Sequence, residues 1–306
     1  MQDSHGNQLS TEKQIEDPPG AKQGQSTVTS VYQTKIAGFC RNVTVVWSKH
    51  LMNHSLYITV ENPNSDQHHT CKIDLKPWHF WNKKGFKSFE VEENNIDIFW
   101  DFRSAKLSSG TEPSGDYYVA FVCDEEVVLL LGDCKKEAFK RTRSRPSLID
   151  PMLVYKKENA YGRKCFSTRA RFDERRKESE IVVEGSFSGG KEPEMWISID
   201  GIVSVHVTNL QWKFRGHKTL TVNRVPVQVY WDVHDWFFNS SGPSNGLFLF
   251  KPGLSKCISD DDTDGGGGGG ENDDNDNNKG SSQNCLTEGR APAPDFCLFL
   301  YAWKVE

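Results

Sequence analysis

"WNKKGFKSFEVEENNIDIFWD", residues 81–101, and "WKFRGHKTLTVNRVPVQVYWD", residues 212–232, align without a gap at a spacing of 131 residues. Six of the 21 positions are identical: Trp81/Trp212, Gly85/Gly216, Lys87/Lys218, Val91/Val222, Trp100/Trp231 and Asp101/Asp232. Others are near-equivalents, such as Ser88/Thr219, Ile96/Val227, Ile98/Val229 and Phe99/Tyr230. Unrelated chains of average composition would share about one identity over this length. The flanks extend the match. "LSSGTEPSGDYYVAFV" answers to "FNSSGPSNGLFLF", and upstream "SVYQTKIAGFCRNVTV" answers loosely to "LVYKKENAYGRKCFST". The pattern reads as an internal duplication of a domain-sized unit, far longer than the roughly 20–50 residues of a solenoid repeat.

Around the repeated stretch the chain is written in short runs rich in Val, Ile, Thr and aromatics, separated by polar turns. Such runs predict strands. Ile96, Ile98 and Trp100 alternate with polar neighbours, which points one face inward. "EVVLLLG" lacks alternation, so both of its faces are expected to be covered. The fold class predicted is all-β: two antiparallel sandwich or barrel modules of about eight strands each. Whether they form separate barrels or one sheet system is left open by the pattern.

The predicted organisation has five parts. Residues 1–26 are a polar tail with little to bury, residues 27–132 the first module and residues 133–150 a basic linker. Residues 151–306 are the second module, interrupted at 255–294 by an acidic, Gly-rich insertion. The linker is expected to hold one short helix, Lys135–Arg141, stopped before Pro146. The insertion separates "LFLFKPG" from "FCLFLYAWKVE", which should still pair as a hairpin because closure entropy grows only logarithmically with loop length.

Net charge is −5, and the segment Lys251–Asp295 alone holds ten acids against four bases. The rest is nearly neutral, so no strong field calls for nucleic acid as a specific partner. The longest apolar runs fall far short of the ~20 residues of a transmembrane helix. The N-terminal stretch lacks the apolar core of a secretion signal. The eight Cys include no CxxC and fit neither a zinc site nor a disulfide framework. Free thiols and an intracellular setting, cytoplasm or nucleus, are therefore expected.

Four strings, "CKIDLKPWHFWNKKGFKSFEVEENNIDIFWDFRSAK", "GDYYVAFVCDEEVVLLLGD", "MWISIDGIVSVHVTNLQWKFRG" and "VQVYWDVHDWFF", carry a family resemblance. The chain resembles, from about residue 27 to its end, the plant family called domain of unknown function 868. The resemblance implies a plant protein and brings no activity, cofactor or catalytic residue with it.

Several motifs invite a chemical reading. "GPSNG", Gly242–Gly246, matches G-x-S-x-G in letters, but a strand rather than a helix is expected after it, so it reads as a β-turn. The six-glycine run has no Lys-Ser/Thr step after it and reads as a tether. The cluster Asp260–Asp264 lacks the spacing of a calcium loop, and His68-His69 reads as surface. "KPWHFWNKKGFK" gathers Trp78, Phe80 and Trp81 with basic residues, a candidate stacking platform whose second-copy partner is Trp212. "WDVHDW" sets Asp232 and Asp235 beside His234, with Asp101 as the first-copy counterpart of Asp232. That group is a candidate polar site, and the competing reading is a strand-end Asp capping a turn. In "KRTRSRPS", Arg141 stands three residues before Ser144 and Pro146 two after it, a basic-directed phosphosite pattern.

No nucleophile, base or metal cluster converges in the sequence, so neither a catalytic residue nor a metal or cofactor is assigned. The reading is a non-catalytic binding or scaffold protein that engages a protein partner or small ligand through Trp78, Phe80, Trp81 and Trp212. The alternatives are an enzyme centred on Asp232 and His234 and an adaptor regulated through Ser144.

Overall fold

The alternating runs become strands joined by tight turns, and the sheets they form are set by which faces are apolar. The computed structural model describes residues 25–61, 68–76, 83–91, 94–107, 110–173, 176–187, 192–239, 244–253 and 296–305. A first meander comprises β1 (Ser26–Ile36), β2 (Phe39–His50), β3 (Asn53–Glu61) and β4 (His68–Leu75). A second comprises β5 (Lys84–Val91), β6 (Asn94–Asp101), β7 (Tyr118–Cys123) and β8 (Glu126–Gly132). Then come α1 (Lys135–Thr142), the two-residue β9 (Arg145–Pro146) and the long β10 (Met152–Gly162). A third meander follows: β11 (Cys165–Ala170), β12 (Ser179–Ser186), β13 (Glu194–Ile199) and β14 (Ile202–Val207). The last group is β15 (Arg215–Val222), β16 (Val225–Asp232), the single turn α2 (Asp235–Phe238), β17 (Ser244–Pro252) and β18 (Cys297–Lys304).

Among the described residues three open sheets form, and none of them closes into a barrel. The largest has nine strands in the order β15-β16-β17-β18-β10-β1-β2-β3-β4. The others are β5-β6-β7-β8-β9 and β11-β12-β13-β14. Strand β10 joins the halves: it pairs antiparallel with β1 and parallel with β18. One continuous sheet therefore runs through both halves of the chain, which answers the question the sequence pattern leaves open.

Ladder partners share a face of the sheet. Val28 and Ser30 of β1 oppose Glu158 and Lys156 of β10, which in turn oppose Leu300 and Leu298 of β18. Val28 belongs to a core closed by the five-stranded sheet, with Trp47, Leu56, Ile58, Ile96, Ile98, Phe121 and Leu129. Leu298 and Leu300 belong to a core closed by the four-stranded sheet, with Ile181, Val183, Ile197, Val227, Phe248 and Phe250. The two smaller sheets thus lie side by side on one face of the nine-stranded sheet.

The repeated stretches form hairpins of matching register. Lys84 pairs with Asp101 and Gly85 with Trp100, as Arg215 does with Asp232 and Gly216 with Trp231. In each hairpin the indole lies flat on the glycine, where a Cβ would run into the ring. The two hairpins nonetheless sit in different layers, β5–β6 in the five-stranded sheet and β15–β16 in the nine-stranded one.

Other expectations are met locally. Both faces of β8 are covered: Leu129 and Leu131 face the main core, while Val127 and Leu130 meet Ala138 and Phe139 of α1. The helix runs one residue further than predicted and ends with Arg143 in the left-handed region at φ 59°. Strands β17 and β18 pair antiparallel from Ser244/Lys304 to Phe250/Leu298, as expected across the insertion. The insertion itself, the N-terminal tail, the six-glycine run and Asp260–Asp264 lie outside the described residues. Cys40, Cys71, Cys123, Cys134 and Cys165 are free thiols, and no helix among the described residues is long and apolar enough to cross a membrane.

Candidate functional site

Trp78, Phe80 and Trp81 lie outside the described residues. Trp212 sits in the turn before β15 and is 79 % exposed, so its ring does not plug the sandwich end as a structural tryptophan would. Ser244 of the GxSxG-like string opens strand β17, where a nucleophile elbow would need a helix. His69 is half-buried and stacks on Phe89 at a centroid distance of 5.5 Å.

The polar candidates are drawn into local turns. Asp101 Oδ1 accepts from the Arg103 backbone N–H at 3.1 Å, and its carboxylate pairs with the Arg103 guanidinium at 2.7 Å and with Lys84 at 3.7 Å. Burial opposes its charge, but the Arg103 hydrogen bonds and the two cations win and lower its pKa. Asp232 repeats the arrangement, accepting from the His234 N–H at 3.0 Å and pairing with Arg215 at 2.8 Å. His234 Nδ1 lies 3.2 Å from Asp235 Oδ1, both side chains being substantially exposed. Asp101 and Asp232 stand in different sheets, so the four residues form two strand-end caps rather than one site.

What the fold does build is a cleft of about 1020 Å³ between the two smaller sheets, floored by β1 and β10. Its walls carry Leu129 and Leu131 of β8, Phe139 of α1, the linker residues Pro146, Ser147 and Ile149, and Arg169 to Asp173 at and just after the end of β11. Side chains from the floor tie both walls. Thr34 Oγ1 donates to the Val128 carbonyl at 2.7 Å, and Lys156 Nζ donates to the Arg169 carbonyl at 3.0 Å. At one end Tyr117 stacks on Phe102 at 5.5 Å, and Trp47 meets both rings edge-on.

Lys156 is the centre of this floor, only 7 % exposed. Its ammonium lies 3.2 Å from Glu112 Oε2, and the carboxyls of Glu158 and Glu178 also act on it. Burial works against its charge, yet the three carboxylates together outweigh burial and raise its pKa. Glu158, half-buried on the same strand, accepts a hydrogen bond from Thr168. Burial lifts the Glu158 pKa, with Lys156 pulling the other way. Tyr32, also on the floor, has its phenol pushed up to about 12, first by burial and then by Glu112. The Tyr117 phenol is raised by the same two causes.

This arrangement sets a fixed cation, carboxylates and phenols at the floor of a cleft whose walls mix apolar and charged side chains. A lysine held protonated is a hydrogen-bond and charge donor; an amine nucleophile needs the opposite shift. Among the described residues no group of three or more His, Cys, Asp or Glu is placed to hold a metal ion.

The sequence reading missed this cleft, although a signal was present. "VYKKENAY" puts Lys156 and Glu158 at alternate positions of a strand that carries polar residues on both faces. A long strand without an apolar face, flanked by apolar ones, is expected either at an edge or over a buried polar site.

No curated protein and no solved structure matches the chain. Residues 23–304 match the family model described as a plant protein of unknown function, DUF868. With nearly the whole chain inside that match, from before β1 to the last residue of β18, the protein belongs to the DUF868 family.

Proposed function

We propose that the protein is a non-catalytic binding protein made of two related β-units, with its ligand site in the cleft between the two smaller sheets. One observation carries this reading: a buried, carboxylate-held ammonium beneath a cleft of about 1020 Å³ whose lining mixes apolar side chains such as Leu129 and Phe139 with charged ones such as Arg171 and Glu178. Ligand sites span roughly 300–1,000 Å³, so the space suits one small molecule with a flat apolar body and a polar end. The polar end would meet Lys156, Glu112 and the Tyr32 and Tyr117 hydroxyls. Common origin of the two units is supported by the matched registers and the tryptophan-on-glycine pairs of their hairpins. The enzyme alternative gains nothing from Asp232 and His234, whose polar groups serve a turn and an ion pair. An intracellular setting fits the exposed free thiols of Cys40 and Cys165.

The test is native mass spectrometry of the full chain after incubation with plant extract, beside Lys156→Met, Phe139→Ala and Asp232→Asn. Circular dichroism would verify that each variant is folded. A small molecule held by the wild type and Asp232→Asn, and lost from both cleft variants, is the expected result. Equal retention by all four proteins would remove the cleft as the site.

A further inference from the structure

The linker that walls the cleft also carries a hydroxyl in a setting that the cleft reading does not use. Ser144 follows Arg143, the residue that caps the C-terminus of α1. Its N–H donates to Thr142 Oγ1 and its Oγ donates to the Thr142 carbonyl, both at 3.3 Å. Arg141, Arg143, Arg145 and Pro146 around it are exposed. Beyond it, Arg145 and Pro146 pair alongside Glu126 and Val127 of β8, and the Arg145 guanidinium reaches Glu126 at 2.8 Å. Pro146 and Ser147 then form part of the cleft wall.

We infer that Ser144 is a phosphorylation site for a basic-directed protein kinase and that its phosphate releases this wall from β8. The consequence for ligand binding rests on the cleft reading; the modification itself does not.

Recognition follows from charge: Arg141 stands at the third position before the hydroxyl, where such kinases place a carboxylate pocket. Access follows from the fold. Only Ala138 of α1 is buried, the helix ends on a non-glycine residue in the left-handed region, and β9 has two residues. A segment with so few buried contacts opens locally at low cost, which lets it enter a kinase cleft in extended form. In the reaction Ser144 Oγ attacks the γ-phosphorus of ATP. The Oγ–phosphorus bond forms, the bond from that phosphorus to the β–γ bridging oxygen breaks, and ADP leaves. The hydroxyl proton passes to the kinase's catalytic carboxylate.

The product disfavours the resting geometry. Oγ has lost the hydrogen it donated to the Thr142 carbonyl. The new dianion faces the negative end of α1, where Ser144 Oγ now meets the Thr142 carbonyl. Arg145 is drawn from Glu126 to the phosphate, and the ion pair tying β9 to β8 is lost.

The test uses the full chain, ATP and an Arg-x-x-Ser-directed kinase domain, with Ser144→Ala and a synthetic peptide of residues 138–150 as controls. Site-resolved mass spectrometry should find phosphate on Ser144, absent from Ser144→Ala. Amide exchange across residues 135–150 should then rise about tenfold, with the sheets unchanged. Failure to modify Ser144 in the full chain, whether or not the peptide is modified, would overturn the proposal. So would modification with exchange unchanged or slowed. None of these readouts involves a ligand. Faster exchange in a protein that retains no small molecule would leave the modification standing and remove the cleft reading, and the reverse pair of results would do the opposite.

Discussion

At His54 the two ring nitrogens meet unequal surroundings. Nε2 donates to the Gly110 carbonyl at 3.3 Å, while Nδ1 is buried without a hydrogen-bond partner. Burial lowers the pKa of this ring, the Gly110 contact opposing and Lys49 reinforcing the shift. The neutral form is therefore the folded form. The unfolded chain takes up the proton first, near the ordinary value of about 6.5, so unfolding becomes favoured as pH falls below that value. The contribution of His54 is fully present above pH ~6.5 and is lost as pH drops through its folded pKa. Urea unfolding between pH 7 and 5 should show stability falling in the wild type and a flatter profile in His54→Gln. An unchanged slope in the variant would show that other groups set the dependence. None of this was legible in the sequence. His54 lies at an unremarked strand start, and its partner Gly110 is 56 residues away in a loop.

At the scale of elements most of the fold was legible, because strand propensity and alternation act locally. The hairpins, the covered β8, the helix in the linker and the β17–β18 pairing all followed from patterns a few residues long. Layer assignment did not, since it depends on which sheet each hairpin packs against. The hairpins β5–β6 and β15–β16 make the point: their registers match, yet they belong to different sheets. Their shared requirement is the glycine beneath the indole. Gly85→Ala should push the Trp100 ring from its seat, and Gly216→Ala should do the same to Trp231. Each is expected to cost about 1–3 kcal/mol, the usual range for overpacking. Shrinking the ring in Gly85→Ala/Trp100→Leu should recover part of the overpacking cost. Chemical denaturation of the single and double variants measures this, and a neutral Gly85→Ala would mean that the ring re-seats without strain. Strand β10 shows where local reading fails. Its start, "MLVYKK", reads as a strand, but polar residues on both faces leave its neighbours unspecified, and only the tertiary fold gives it one on each side.

For the whole molecule, the consequence of β10 is that one continuous sheet crosses the expected boundary at the linker. Cutting the chain between residues 147 and 148 would leave the first fragment with β1 unpaired along the ladder Thr27–Gln33. That edge is long and carries Val28 and Val31 together with Thr27, Thr29 and Ser30, all buried in the intact protein. An exposed edge of this kind templates association. The second fragment keeps β10 on β18 but exposes its other edge, with Lys156 separated from Glu112. Glu158 and Glu178 stay with Lys156 in that fragment, so the loss of Glu112 weakens the carboxylate set around the ammonium and the larger cost is the open edge of β10. The fragments are therefore expected to be unstable or self-associating apart and to form a one-to-one complex when refolded together. Light scattering would give the mass of that complex, and hydrogen exchange would report protection of β1 and β10. If each fragment instead folds alone as a monomer with its own full protection, the continuous sheet is only a contact between two autonomous domains. The cleft would then be a hinge between them, and its volume would vary with their separation. Co-folding would make the cleft a fixed feature of a single cooperative unit, as a pre-formed ligand site requires.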